Sequence, residues 1–374
     1  KNFTDYNQPH QAVTQMSSLS SLSGDLYQDS KRFIYELLQN ADDSALPETK
    51  IKVLIKLFGN TLVVAHTGKS FDERDVIGIS DVGNGTKKNA SDKTGYKGIG
   101  FKSVFGQSNR VIIYSESELF RFDENFQHDW NSEWEGTQEQ WEAENELQFR
   151  FPWPIIPIYT ESSEINPDIW NFLEESDFSV ATIIELYKPE EVRIALSELA
   201  QKMEMYLFLK NVKEITFDSD IIPIKIGVVE TAEGYMTLTV DDEVKVNFLK
   251  KTFVLDVPQA VQNELQKDKD VPDKIKYARK AEIVLAAKRS AEGFEVCKLG
   301  ERNLYAYLPT EEKTYEIPVL VNASFYLAAT RESLHKDSIW NKWLMSQVPL
   351  SLIKWIADLV LTPIGSEAYT ILPK

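Results

Sequence analysis

The chain has 374 residues, 43% of them hydrophobic and 26% charged, the balance of an ordinary folded protein. At roughly 100–200 residues per domain that length predicts two domains or three. Fifty-eight acids against 41 bases leave a net charge of −17, which disfavours a chain whose main task is to neutralise a nucleic-acid backbone, although one local basic pocket is compatible with it. A single cysteine, Cys297, excludes an intramolecular disulfide, a multi-cysteine zinc site and an iron–sulfur cluster. No apolar run reaches the roughly 20 residues that span a bilayer; the nearest, 351–364, is interrupted by Lys354 and Asp358. The opening residues show no charged-then-apolar leader and no initiator Met. The expected setting is therefore cytoplasmic, with the nucleus left open, and the chain reads as a piece of something longer.

No period of 20–50 residues repeats, which argues against a solenoid or a propeller. In chain order, Phe33, Ile34, Leu37, Leu38 and Ala41 recur at helical spacing and predict a helix over 30–46, closed by Pro47. Strands are predicted at 50–58 and 61–65, joined by Gly59-Asn60, a strong hairpin signal. Residues 78–100 hold six glycines among Ser, Asn, Thr and Lys, and read as a mobile loop. A strand follows at 111–115.

Residues 116–147 change character, with eleven acids, one arginine and three tryptophans: Trp130, Trp134 and Trp141. They read as a solvated acidic insertion whose aromatics pack locally, or else as a partner-docking loop. A strand at 182–187 and a helix at 190–208 come next. The stretch 217–223 is the expected boundary between a first domain, 1–220, and a second, 221–374. Strands are predicted beyond it at 224–229, 235–240, 283–287, 304–308 and 319–321, with a lysine-rich passage at 263–280 and a helical end from Ile339. The whole reads as an α+β protein built of two layered domains in sequence.

The residues with most chemistry lie in ELLQNADD, 36–43. Glu36, Asn40 and Asp43 stand at i, i+4 and i+7 and share one helix face, while Leu37, Leu38 and Ala41 serve the core. Two carboxylates and an amide one turn apart suit a hard cation and a water to be deprotonated; alone, such a pattern is also that of a solvated face. The second motif is GYKGIGFKS, 95–103. Three glycines in six residues let backbone N–H groups approach a ligand, exposed amides there suit an anion, and Lys97 and Lys102 add positive charge. It is not a P-loop, because Phe101 separates the last glycine from the lysine. Nor is it a dinucleotide fingerprint, since no strand runs into the glycines.

Taken together, ELLQNADD, the hairpin, HTGKSF at 66–71, GNGTKK at 83–88 and GYKGIGFKSVF at 95–105 resemble the GHKL ATPase superfamily. That group comprises gyrase, the heat-shock-ninety chaperones, the MutL mismatch-repair proteins and the histidine kinases. Within it, ELLQNADD, KTGYKGIGFKSVF and LFLKNV at 207–212 are most similar to the sacsin and NO VEIN type. The resemblance implies a two-layer α/β sandwich of the Bergerat kind that binds ATP with Mg2+ and hydrolyses it slowly, followed by a middle domain like that of the heat-shock-ninety proteins. Glu36 would be the general base and Asn40 the magnesium ligand, with Asp43 beside them. The resemblance places Thr86 and Lys87 in an ATP lid near the phosphates. Gly95, Tyr96, Lys97, Gly98, Ile99, Gly100 and Phe101 would cradle the phosphates, and Thr182 would lie near the adenine. Where the family reads the base with an Asx residue, this chain has His66-Thr67-Gly68, with Phe71 just beyond. Thr67 accepts one hydrogen bond, less strongly than a carboxylate, and His66 reads equally well as a structural strand-end residue.

The second half extends the likeness. Around RESL, Arg331 matches an arginine that reaches the γ-phosphate when the domains close; the alternative is a surface arginine paired with an acid such as Glu332. Lys336 is a less well-aligned candidate for the same task. The implied partners are ATP and ADP, a homodimer by analogy, and an unknown protein client or fused effector domain. Nucleic acid is disfavoured for this fragment, and no membrane partner is expected. The alternative function is a nucleotide-binding switch or regulatory module without hydrolysis.

Overall fold

The structure is a computed structural model that describes residues 6–26, 31–80, 100–116, 118–218, 223–231, 235–269, 271–298, 301, 303–312, 315–328 and 333–373. It is a mixed α/β protein in two compact units, one made of Lys1–Leu199 and Ile215–Pro223, the other of Ala200–Glu214 and Ile224–Lys374. The segment 200–214, assigned to the first domain on sequence, thus groups with the second unit.

The first unit opens with α1 (Pro9–Leu26) and α2 (Arg32–Asp43). The hairpin follows as β1 (Ile51–Phe58) and β2 (Thr61–His66), with Phe58 opposite Thr61. Gly59 takes φ +61° at the turn, a conformation that glycine adopts at no steric cost. Then come α3 (Glu73–Ser80), a 3-10 segment at Gly100–Gly106, β3 (Arg110–Ser115), β4 (Glu118–Asp123), α4 (Gln138–Asn145), β5 (Ile158–Tyr159), α5 (Pro167–Glu175), β6 (Val180–Glu185), α6 (Pro189–Gln201) and β7 (Val212–Asp218), the last residues of α6 and the first of β7 being counted with the second unit. The strand order here is β7-β1-β2-β6-β3-β4-β5. One sheet face packs Leu54, Val63, Ala65 and Ile112 against Ile169 and Leu173 of α5. Residues of the other parity, among them Val53, Ile55, Leu62 and Ile113, are buried as well, so helices cover both faces. On this second side α2 packs on β1 and on the 3-10 segment.

The acidic stretch divides in two. Residues 118–123 are the sheet strand β4, with Leu119 and Phe122 buried, and the acidic insertion begins after them. Its aromatics pack locally, as one of the two sequence readings expects: Trp130 meets Trp134 edge-on at 4.9 Å, and Phe149 receives Trp130 and Trp134 at 5.3 and 5.8 Å. Trp134 Nε1 donates to the Tyr6 carbonyl at 2.8 Å, tying this cluster to the residues before α1.

The second unit comprises β8 (Ile224–Glu230), β9 (Tyr235–Val240), β10 (Glu243–Asp256), α7 (Gln259–Lys267), α8 (Asp273–Lys276), β11 (Lys280–Ser290), β12 (Gly293–Glu295), β13 (Leu304–Ala306), β14 (Leu308–Pro309), β15 (Leu320–Ala323) and α9 (Ile339–Val360). Its order is β14-β13-β15-β11-β10-β9-β8, with β12 on β11. The pair β13–β15 is parallel, whereas β10–β11 is a ten-residue antiparallel ladder from Asn247↔Arg289 to Asp256↔Lys280. The strand expected at 304–308 folds back on itself at Tyr307, whose φ is +72° and whose N–H donates to Asn322 Oδ1 at 2.7 Å. Trp340, Leu344, Val348, Leu352, Trp355 and Leu359 of α9 recur at helical spacing and fill the core of this unit.

Candidate functional site

The helix α2 carries the acidic motif because its apolar residues fix its orientation. Phe33, Ile34, Leu37, Leu38 and Ala41 are buried, which turns Glu36 toward the 3-10 segment rather than toward water. Glu36 is only 5% exposed, and Asn40 and Asp43 are half-buried. Gly100, the first residue of the 3-10 segment, meets the Glu36 carboxylate so closely that a Cβ there would lie 2.1 Å from Oε2. A contact that only a missing side chain permits therefore joins the two motifs singled out on sequence.

A second set of contacts stitches the far end of α2 to the strand-end motif. Ser44 ends the helix, its N–H and its Oγ both donating to the Ala41 carbonyl at 3.0 and 2.6 Å. The Ser44 carbonyl then accepts from Lys69 N–H at 2.9 Å. Gly68 N–H donates to His66 Nδ1 at 3.1 Å, and Ser44 Oγ lies 3.3 Å from the same nitrogen. Since Nδ1 is an acceptor, the ring proton sits on Nε2. Burial pushes the His66 imidazole down to about 4, so it is neutral at physiological pH. Gly68 has no room for a side chain: a Cβ would fall 1.9 Å from Ser44 Oγ. Ser179, just before β6, closes this knot by donating through N–H to the His66 carbonyl at 3.1 Å and through Oγ to the Gly68 carbonyl.

Other expected site residues are placed as follows. The Thr67 hydroxyl accepts from Lys52 N–H at 3.0 Å while its own N–H donates to the Lys52 carbonyl at 3.1 Å, so Thr67 extends the β1–β2 hairpin by one rung. Phe71 N–H donates to Ser115 Oγ at 2.9 Å, and its ring meets Phe120 at 6.0 Å. Phe101 is buried in an aromatic group with Phe105 and Phe122. Thr182 is buried in β6 between Val64 of β2 and Ile113 of β3. Thr86, Lys87, Gly95, Tyr96, Lys97, Gly98, Ile99 and Arg331 lie outside the described residues.

Lys102 corrects one expectation. The sequence reading gives it charge for a phosphate site, but it is 6% exposed and its Nζ donates to the carbonyls of Ile79 and, at 2.7 Å, Pro154. It also stands 5.5 Å from the ring centres of Phe105 and Phe122. Its ammonium thus stabilises the C-terminal end of α3, where a helix favours a cation, and rests on two aromatic faces.

The described residues on either side of Arg331 pair with each other. Leu327 bridges Leu334, and Ala328 N–H donates to the Ser333 carbonyl at 2.9 Å. Asn341 at the start of α9 holds the described residues on both sides: its Oδ1 accepts from Tyr326 N–H at 2.8 Å and its Nδ2 donates to the Tyr326 and His335 carbonyls at 2.7 and 3.0 Å. Sequence reasoning missed Ser44, Ser179 and Asn341. Only Ser44 had a signal, as a small hydroxyl residue at the end of a periodic apolar run. Among the described residues no group of three His, Cys, Asp or Glu side chains is arranged to hold a metal.

The first unit is thus a mixed α/β unit whose acid-bearing helix is seated against a glycine and knotted at its end to a buried neutral histidine. The chain belongs to the sacsin domain family, whose model matches residues 22–221, more than half of its length. It is 26% identical over 350 residues to Protein NO VEIN of Arabidopsis thaliana, a match covering 89% of this chain and 11% of that protein. It is 32% identical over 116 residues to sacsin of Homo sapiens, covering 27% of this chain and 2% of that protein. The chain therefore spans a small part of both relatives. No helix among the described residues is long and apolar enough to cross a membrane.

Proposed function

We propose that the first unit binds Mg-ATP at the junction of α2 with Gly100 and hydrolyses it slowly, as its likeness to the GHKL ATPases implies. The observation that carries this reading is the Glu36 carboxylate, almost wholly buried and held against Gly100, the last glycine of the glycine motif. A carboxylate held away from water beside a glycine-rich segment is the kind of group that functional sites use, and this placement supports the reading. Glu36 accepts the proton of the attacking water in this reading. The Asn40 carboxamide, a hard oxygen donor one turn on, suits magnesium, which would supply positive charge at the phosphates when bound. Positioning and charge are what phosphoryl transfer to water requires of a protein, more than covalent chemistry.

A nucleotide switch without turnover is the second reading. It is favoured by the Thr67 hydroxyl, which is engaged by Lys52 N–H and stands where the resembled family has a base-reading Asx residue. In both readings the second unit, through Arg331, reports the nucleotide state to whatever client or effector domain the protein serves. Calorimetry tests the binding common to both. ATP is expected to bind in the presence of magnesium and to lose affinity with EDTA, and Asn40→Ala should remove most of the magnesium dependence. ATP that fails to bind with magnesium present would sink both readings.

A further inference from the structure

We propose that Gly100 is a positioning residue for Glu36: its bare Cα leaves the space in which the carboxylate is seated, and any side chain there would expel it. The inference deepens the reading of Glu36 as the proton acceptor and rests on it. Its basis is steric. A Cβ on Gly100 would lie 2.1 Å from Glu36 Oε2, closer than real Cβ contacts allow, and 3.0 Å from Cδ, which is tight.

Neither backbone can yield easily. Gly100 is held by its own carbonyl, which accepts from the buried Ser103 Oγ at 2.6 Å. The next residue, Phe101, is wedged edge-on against Phe105 at 5.8 Å and tilted against Phe122 at 6.1 Å. On the other side, the Glu36 backbone is fixed within α2 by the buried Phe33 and Leu37, while its carboxylate is the far end of a flexible side chain. The clash is therefore relieved by moving the carboxylate. For a group that must meet a water in line with a phosphate, a displacement of about 1 Å can lower the rate ~100-fold.

The test has two arms. In nucleotide-free protein, the unfolding midpoints of wild type, Gly100→Ala, Glu36→Ala and the double mutant form a cycle. Gly100→Ala is expected to lower the midpoint of the wild type and to have little effect in the Glu36→Ala background, where the carboxylate that it strikes is gone. Additive shifts would overturn the proposal, whatever the protein binds. Should Gly100→Ala alone fail to fold, a folded double mutant is the same result in stronger form, and an unfolded one overturns it.

In the second arm, turnover is measured at saturating Mg-ATP. Gly100→Ala should lower it ~100-fold, keep ATP affinity, and add no loss on top of Glu36→Ala. Weakened ATP binding with unchanged turnover would mean that Gly100 acts on the nucleotide alone. A wild type without turnover would end the role of Glu36 as a proton acceptor but leave the first arm to judge the contact.

Discussion

Two helices of the first unit carry three acids each and treat them oppositely. In α2 the residues Glu36, Gln39 and Asp42 are buried along with the apolar ones, while α4 buries none of its residues. The acids of α4 stand in water or serve local turns. Thr137 and Gln140 form a capping box at its start, and Glu142 Oε1 accepts from Phe149 N–H at 2.9 Å. The Glu139 carboxyl is held below its usual range by its own backbone N–H and by the Thr137 hydroxyl. A solvated carboxylate needs no compensation, whereas a buried one does. Acid count alone therefore does not separate the two helices, whereas burial of the acids does.

The comparison breaks first in the layer beneath α4. If the insertion is held by its aromatics rather than its charges, Trp134→Ala should be the most disruptive single change there. The side chain is 5% exposed and makes two edge contacts besides its bond to the Tyr6 carbonyl. A loss of about 3–5 kcal/mol is expected in chemical denaturation, and a loss below ~1 kcal/mol would mean that the cluster contributes little.

A somewhat smaller effect tests the knot at the end of α2. The folded His66 titrates at about 4 against 6.5 unfolded, so between those values the folded chain binds fewer protons than the unfolded one. Stability present above pH 6.5 is lost as pH falls toward 4, by about 3 kcal/mol for this one group. His66→Gln should flatten part of that slope in midpoints measured from pH 7 to 4. His128, which burial also pushes to about 4 and which stacks on Phe151, adds to the same slope, as do carboxyls held below their usual range such as Glu164. An unchanged slope would remove His66 from the acid response.

The smallest expected effect is on the solvated side. Glu144→Gln, on the exposed face of α4, should change stability by less than about 0.5 kcal/mol and leave ATP binding as it was. A large change in either, by melting or calorimetry, would show that the acids of the insertion do more than face solvent.

Much of the first unit was legible because its signals are local. The apolar period of α2 and the Gly59-Asn60 turn each point to one element without help from distant residues; both elements formed, although the helix read as 30–46 ends at Asp43, well before Pro47. The element α1 was not legible, since Ala12, Val13, Met16 and Leu19 hold its buried stripe among Ser, Thr and Gln. Nor was β10, whose Lys250 and Lys251 break the apolar alternation although its ladder with β11 is the longest given for the second unit. At the site, the helical spacing brought Glu36, Asn40 and Asp43 to one motif, but it did not reveal that Glu36 meets Gly100. Contacts between residues far apart in sequence, such as Ser179 with His66 or Lys102 with Pro154, depend on how the sheet is closed and leave no local pattern.

The central claim is that the buried carboxylate of α2 serves hydrolysis of Mg-ATP, and one measurement bears on it most directly. Phosphate release is followed at saturating Mg-ATP for wild type and for Glu36→Ala, with bound nucleotide quantified in both. The account predicts slow but magnesium-dependent release from the wild type and a fall of ~100-fold or more in Glu36→Ala, with ATP still bound. Equal rates in the two proteins, or no release from a wild type that binds ATP, would contradict it.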